Sequence, residues 1–123
     1  MNNRADERFG KSLRLRKRSE YLEVQRWGSR IHSRAFIGLV RIRESGDARI
    51  GIVTTKKLGN AVIRNRTRRL VREAFRRGWL HLPERSDVVV IAKKTAAEFG
   101  TKKIFDDLAT LGRRVTKLVE QQQ

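Results

Sequence analysis

Apolar positions along the chain fall into three patterns, and each specifies a different kind of element. Tyr21, Leu22, Val24 and Trp27 recur at helical spacing. Ser19 stands where a cap is expected, Glu20 suits the first turn, and Gly28 is placed to end the helix. Residues 35–43, AFIGLVRIR, and residues 49–56, RIGIVTTK, read as strands, and the turn-rich ESGD between them predicts that they pair as a hairpin. Residues 87–93, DVVVIAK, are apolar without alternation, which suits an interior strand covered on both faces. A helix over 62–77 separates this strand from the second. Ile104, Leu108, Leu111, Val115 and Leu118, at i, i+4, i+7, i+11 and i+14, then form one stripe of a long closing helix. The predicted fold is α+β, a small mixed sheet packed with helices in the order α-β-β-α-β-α. Residues 1–12 are expected to form a flexible basic arm, 13–119 a single domain, and 120–123 a flexible tail.

Charge changes the picture. Thirty Lys and Arg against thirteen Asp and Glu give a net charge of +17 on 123 residues. A compact body with that charge repels itself unless a polyanion neutralises it, which points to nucleic acid. At 38% hydrophobic residues the chain can still build a core. It has no cysteine, which excludes disulfides and thiolate chemistry. No stretch has the length of a signal peptide's apolar core or of a spanning helix, so a cytoplasmic protein without a membrane partner is expected.

The charge is concentrated on one helix. On a helical wheel Ile63, Thr67, Leu70 and Ala74 share a narrow arc with Val71 at its edge, while Asn65, Arg68, Arg69, Arg72 and Arg76 rise in a row opposite. Seven arginines lie between Arg64 and Arg77 against the single carboxylate of Glu73. Like charges at i,i+4 cost roughly 0.2–0.5 kcal/mol per pair, so a purely structural surface would alternate signs. Guanidinium forks match pairs of phosphate oxygens. Upstream, Lys56 and Lys57 are read as ending the second strand, and Gly59 and Asn60 allow the tight entry into the helix. Backbone N–H groups at that helix start would add an anion site.

The segment KKLGNAVIRNRTRRLVREAFR, residues 56–76, resembles the signature of the bacterial ribonuclease P protein family, with Arg64, Asn65 and Arg66 at its core. The flanking LRKRSEYLEV and VVVIAKK and the order of elements agree, so the resemblance covers about residues 13–118. It implies the fold of the second domain of ribosomal protein S5, with an unusual left-handed β-α-β crossover, against the general right-handed rule. It further implies a catalytic RNA as partner, one protein per RNA, and precursor tRNA as substrate, from which the holoenzyme removes the 5′ leader. By resemblance Lys56, Lys57, Asn60, Arg64, Asn65, Arg66, Arg68, Arg69, Arg72 and Arg76 face the catalytic RNA. Arg14, Lys17, Tyr21, Ile37, Leu39 and Lys94 belong to a cleft for the single-stranded leader. Gln25 and Leu39 stand where the family often has aromatics, so this cleft is expected to stack less and to rest on Tyr21 and apolar contact.

Candidate catalytic groups are few. His32 and His81 have no carboxylate partner suggested by the sequence and read as surface residues or RNA contacts. Asp106 and Asp107 point about 100° apart on a helix and read as charges favourable to its start. No catalytic residue and no protein-held metal are expected; the resemblance implies that the RNA supplies the catalytic groups and, with the substrate, holds Mg2+. The runner-up is a ribosomal or ribosome-assembly protein, which shares the charge and size but does not require this strand, turn and helix order.

Overall fold

The computed structural model describes residues 14, 15 and 17–122. In chain order the elements are α1 (Arg18–Trp27), β1 (Ser29–His32), β2 (Phe36–Ile42), β3 (Arg49–Val53), α2 (Ala61–Arg76), β4 (Ser86–Ala92), a short 3-10 helix (Lys94–Glu98) and α3 (Thr101–Gln121). The sheet order is β1-β2-β4-β3, with β3 and β4 parallel and the other neighbours antiparallel. The fold is α+β as the pattern predicts.

The apolar run of β4 explains this order. Val88, Val89 and Val90 are completely buried, and a strand apolar on successive residues is stable only with partners on both edges and cover on both faces. It therefore inserts between β2 and β3, and the hairpin expected across ESGD does not form. The turn is real: Gly46 adopts a φ of 104° and its carbonyl accepts from the Arg85 N–H at 2.8 Å. Its two arms, however, diverge to flank β4. Asp87, 1% exposed, holds them there, accepting from Arg43 Nε at 2.8 Å and from Arg49 Nε and Nη2 at 2.8 and 2.9 Å. Arg43 donates onward to the carbonyls of Ser45 and Asp47.

Alternation divides the sheet into two faces. Phe36, Val40, Ile50, Val88 and Val90 point to one face, where Leu70, Val71 and Ala74 of α2 and Ile104, Leu108, Leu111 and Val115 of α3 complete the main core. Gly38 lies beneath Leu111, whose Cδ1 would be in ordinary contact with a Cβ there, at 3.5 Å. On the other face Leu39 and Val89 pack with Leu15 and with Val24 of α1.

Several boundaries differ from the pattern. Ser29–His32, with only Ile31 apolar, adds an edge strand that the apolar pattern does not predict. Lys17, not Ser19, occupies the cap of α1, where its backbone N–H donates to Glu20 Oε1 at 3.1 Å, so the helix starts two residues earlier. Gly28 ends α1 as expected, its N–H donating to Val24 O at 2.8 Å. β3 stops at Val53, so Lys56 and Lys57 sit in a turn instead of ending the strand. α3 continues through Glu120 and Gln121, past the expected tail boundary, because Val119 is still buried. The arm of residues 1–12 lies outside the described residues.

Candidate nucleic-acid interface

The basic helix is built by local rules. Gly59 has a φ of 153°, and a Cβ there would lie 2.8 Å from Ile63 Cδ1, so only glycine allows the chain to turn this closely into α2. Asn60 then caps the helix, its side chain accepting from the Ile63 N–H at 3.0 Å. Thr67 is fully buried with Oγ1 donating to Ile63 O at 2.9 Å, and Leu70, Val71 and Ala74 are buried. This places the predicted apolar arc on the sheet and leaves the opposite arc outside.

The arginines separate into two groups. Three brace the surroundings: Arg64 Nη1 donates to Gly59 O at 2.7 Å, Arg68 Nη1 to Thr54 Oγ1 at 2.6 Å, and Arg66 Nη2 to Phe99 O at 3.3 Å. Arg66 therefore reaches toward the start of α3 and away from the row. Arg76 Nε donates to Glu73 Oε1 at 3.3 Å, and this pairing holds the Glu73 carboxyl below its ordinary range. Arg69 and Arg72 project as exposed side chains, and so does Asn65, which also accepts from Arg68 Nη2 at 3.4 Å. Lys56 and Lys57 are exposed in the preceding turn; among the described residues neither they nor Arg69 has an ion-pair partner. Uncompensated cations along one helix and its entry loop are an electrostatic footprint for phosphates.

The second candidate surface lies on the α1 face and is organised in rows by strand register. Arg41, Asp87 and Arg49 form one row across β2, β4 and β3. Two carboxylates of α1 reach it: Glu23 pairs with Arg41 at 3.1 Å and Glu20 with Arg49 at 3.2 Å. The hydrogen bond to Asp87, more than Glu20, pushes Arg49 above its ordinary pKa against the opposing effect of burial. Leu39, Val89 and Gly51 form the next row, under Tyr21. The Tyr21 ring lies so close to β3 that a Cβ on Gly51 would be 2.7 Å from its Cε2 and Cζ. Ile37, Ile91 and Val53 form the third row, and all three remain partly exposed. Among the described residues, helix α1 covers the first two rows and leaves the third partly exposed.

The structure thus brings together part of the expected cleft. Tyr21 is partly exposed beside the open row, and Ile37 belongs to it. Leu39 does not: at 6% exposure it is a core residue under α1, because it shares its row with Val89. Arg14 pairs with the edge of β3 through a bridge to Ile50 and lines, with Tyr21, Gly51 and Arg72, a hollow of about 180 Å³. Arg72 of the basic helix and Tyr21 of the cleft therefore share one hollow at the β3 edge. Lys17 is exposed at the start of α1, and Lys94 is exposed after β4, where the 3-10 helix begins. Gln25 faces outward with Leu22 and Arg26. The sequence reading missed Ile91, Val53 and Gly51, whose roles depend on register; the alternation of β3 was the available signal.

The carboxylates expected to mark a helix start do not act alike. Asp106 pairs with Lys102 at 3.1 Å on the surface. Asp107, in contrast, is 7% exposed and accepts from Ser33 Oγ at 2.6 Å, Ala35 N at 2.9 Å and Arg34 N at 3.1 Å, tying α3 to the β1–β2 connection. It is a structural staple and not a dipole charge. Among the described residues no three of His, Asp and Glu gather as metal ligands. No helix among the described residues is long and apolar enough to cross a membrane.

Fold and surface together define an RNA-binding α+β protein whose basic helix is fixed between parallel strands. Comparison with known proteins narrows the class. The pattern of the Ribonuclease P family matches residues 9–116. The ribonuclease P protein component of Desulforapulum autotrophicum is 33% identical over 109 residues, covering 89% of this chain and 93% of that one. That of Syntrophus aciditrophicus is 38% identical over 107 residues, covering 87% of each. The solved RNase P protein of Staphylococcus aureus superposes with a TM-score of 0.76 at 31% identity over 84% of this chain and 94% of its own. That of Thermotoga maritima gives 0.72 at 34% identity over 81% and 96%. The chain belongs to the ribonuclease P protein family and is a subunit of that tRNA-processing ribonuclease, the partner of its RNA.

Proposed function

We propose that the protein binds the RNA subunit through the 54–60 loop and the outward arginines of α2, and receives the 5′ leader of precursor tRNA on the open Ile37, Ile91 and Val53 row beside Tyr21. The observation that carries this reading is the shared hollow of Arg72, Arg14 and Tyr21, which makes the two surfaces continuous at the β3 edge. A leader lying on the open row would pass directly to the RNA held by α2. Stacking on a ring and apolar contact are indifferent to base identity, which suits an enzyme handling many leaders.

Catalytic groups belong to the RNA in this reading. The buried carboxylates are engaged in structure, Asp87 by Arg43 and Arg49 and Asp107 by the β1–β2 connection, so neither offers a base to a phosphodiester. Mg2+ is then held by RNA and substrate, and the protein lowers the repulsion between phosphates that the ions would otherwise have to screen. A cytoplasmic location, with one protein per RNA, goes with this role. Cleavage of precursor tRNA by the cognate RNA at limiting magnesium, with and without the protein, tests it. The protein should lower the magnesium requirement, and an identical requirement in its absence would overturn the reading.

A further inference from the structure

A second uncompensated basic surface lies on α3, on the sheet face opposite the cleft. The loop after α2 begins with the exposed Arg77 and brings Trp79 onto α3, where its ring stacks on Phe105 with centroids 6.0 Å apart and planes at 18°. Trp79 nevertheless stays 47% exposed. The loop lies directly on the helix because position 112 is glycine: a Cβ there would be 2.7 Å from His81 O. Between loop and helix runs a groove of about 560 Å³ lined by Trp79, His81, Arg113 and Lys117, with Glu120 at one side. Lys117 also lines a neighbouring groove of about 390 Å³ with Arg30 and Arg114, and Arg114 is oriented by its bond to His32 O at 2.6 Å.

Among the described residues none of Arg30, Arg113, Arg114 and Lys117 has an ion-pair partner. The helix dipole does not account for them, since the last turn of α3 carries no basic residue. Arg113 and Lys117 are like charges at i,i+4, an arrangement that weakens the helix and that a bound polyanion would offset.

We propose that this face is a further RNA-binding surface and that its occupant is the RNA subunit. Two observations choose the occupant. The cations and the exposed indole together suit phosphates flanking an unpaired base. The groove also begins three residues beyond Arg76, so RNA lying along α2 continues onto Trp79 and α3 without leaving the protein. Precursor tRNA in the cleft lies on the other side of the sheet. This inference rests on the assignment of the α2 face to the RNA subunit.

The test is the affinity of the full chain for its RNA subunit as a function of salt, for the wild type and for the double variant Arg113→Gln/Lys117→Gln, with Arg69→Gln as the α2 control. Removing two phosphate contacts should reduce the slope of log K against log salt by roughly 1.4–1.8. Trp79→Ala should weaken binding roughly ten- to hundredfold with little change of slope, and Trp79→Phe should restore most of it. The preference of the holoenzyme for precursor over mature tRNA should not move. If the double variant and Trp79→Ala bind as the wild type does while Arg69→Gln is impaired, the α3 surface is refuted and the α2 reading stands. If Arg69→Gln is also without effect, both fall. A change confined to the precursor preference would assign the face to substrate and overturn the choice of occupant.

Discussion

One sheet presents two faces that are closed to different extents. On the α2 and α3 side, Phe36, Ile50, Val88, Leu108 and Leu111 are all at most 2% exposed, whereas on the α1 side a ten-residue helix covers two register rows and leaves Ile37, Ile91 and Val53 partly open. The difference follows from where α1 is anchored. Glu20 and Glu23 fasten α1 to Arg49 and Arg41 at one end of the strands, and the helix crosses them there from β3, where Tyr21 meets Gly51, to β2, where Gly28 meets Val40. The larger core thus lies on one face, and the other keeps a partly exposed apolar row. Their chemistry is also distinct: the closed face is flanked outside by arginines, and the other carries a ring and aliphatic side chains.

This contrast can be broken from the closed side first. Leu108→Ala should cost about 2–5 kcal/mol of stability, since the side chain is fully buried in the main core, and denaturant unfolding should show it. RNA affinity measured well below the unfolding transition should hardly change.

Loosening the anchor should have a smaller effect. Arg49→Met removes the bonds to Asp87 and Glu20 but leaves Asp87 with Arg43, so a loss of about 1.5–3 kcal/mol is expected in unfolding. Precursor binding should weaken further as α1 shifts over Gly51. Arg69→Gln reverses this outcome. Stability should stay within about 0.5 kcal/mol because the side chain is exposed and has no ion-pair partner among the described residues, while the slope of log K against log salt for the RNA subunit falls by roughly 0.7–0.9.

The smallest effect is titration of Glu73, whose carboxyl is lowered by Arg76. A carboxylate with a depressed folded pKa contributes stability above its ordinary value of 4.5, and that contribution is lost as pH falls through the lowered value. Unfolding of wild type and Glu73→Gln should therefore differ slightly at neutral pH and converge in acid. A gap that widens in acid would mean the Arg76 pairing does not persist in solution.

The two faces were unequally legible in the sequence. The apolar arc of α2 and the stripe of α3 obey local periodicity, and each predicted residue from Thr67 to Ala74 and from Ile104 to Val115 is buried where expected. The α1 face depends on which strands are neighbours, and that is not a local property. ESGD carries a genuine turn signal, but the insertion of β4 between its arms is decided by Val88–Val90 some forty residues further on. Leu39 entered the expected cleft by resemblance alone, and without the strand order neither its place under α1 nor Ile91 and Val53 beside Ile37 could be read. Asp107 was illegible for the same reason, because its partners Ser33 and Ala35 lie more than seventy residues away.

We propose that the face only partly covered by α1 is the leader surface, with Tyr21 as its stacking platform. The most direct test is the difference in affinity between precursor and mature tRNA for holoenzymes containing wild type, Tyr21→Phe or Tyr21→Ala protein on the same RNA. Tyr21→Ala should lose about 1–3 kcal/mol for the precursor and almost nothing for mature tRNA, with Tyr21→Phe close to wild type. Equal losses for both substrates, or a melting transition that collapses with Tyr21→Ala, would make the ring part of the fold's core and contradict the assignment of this face.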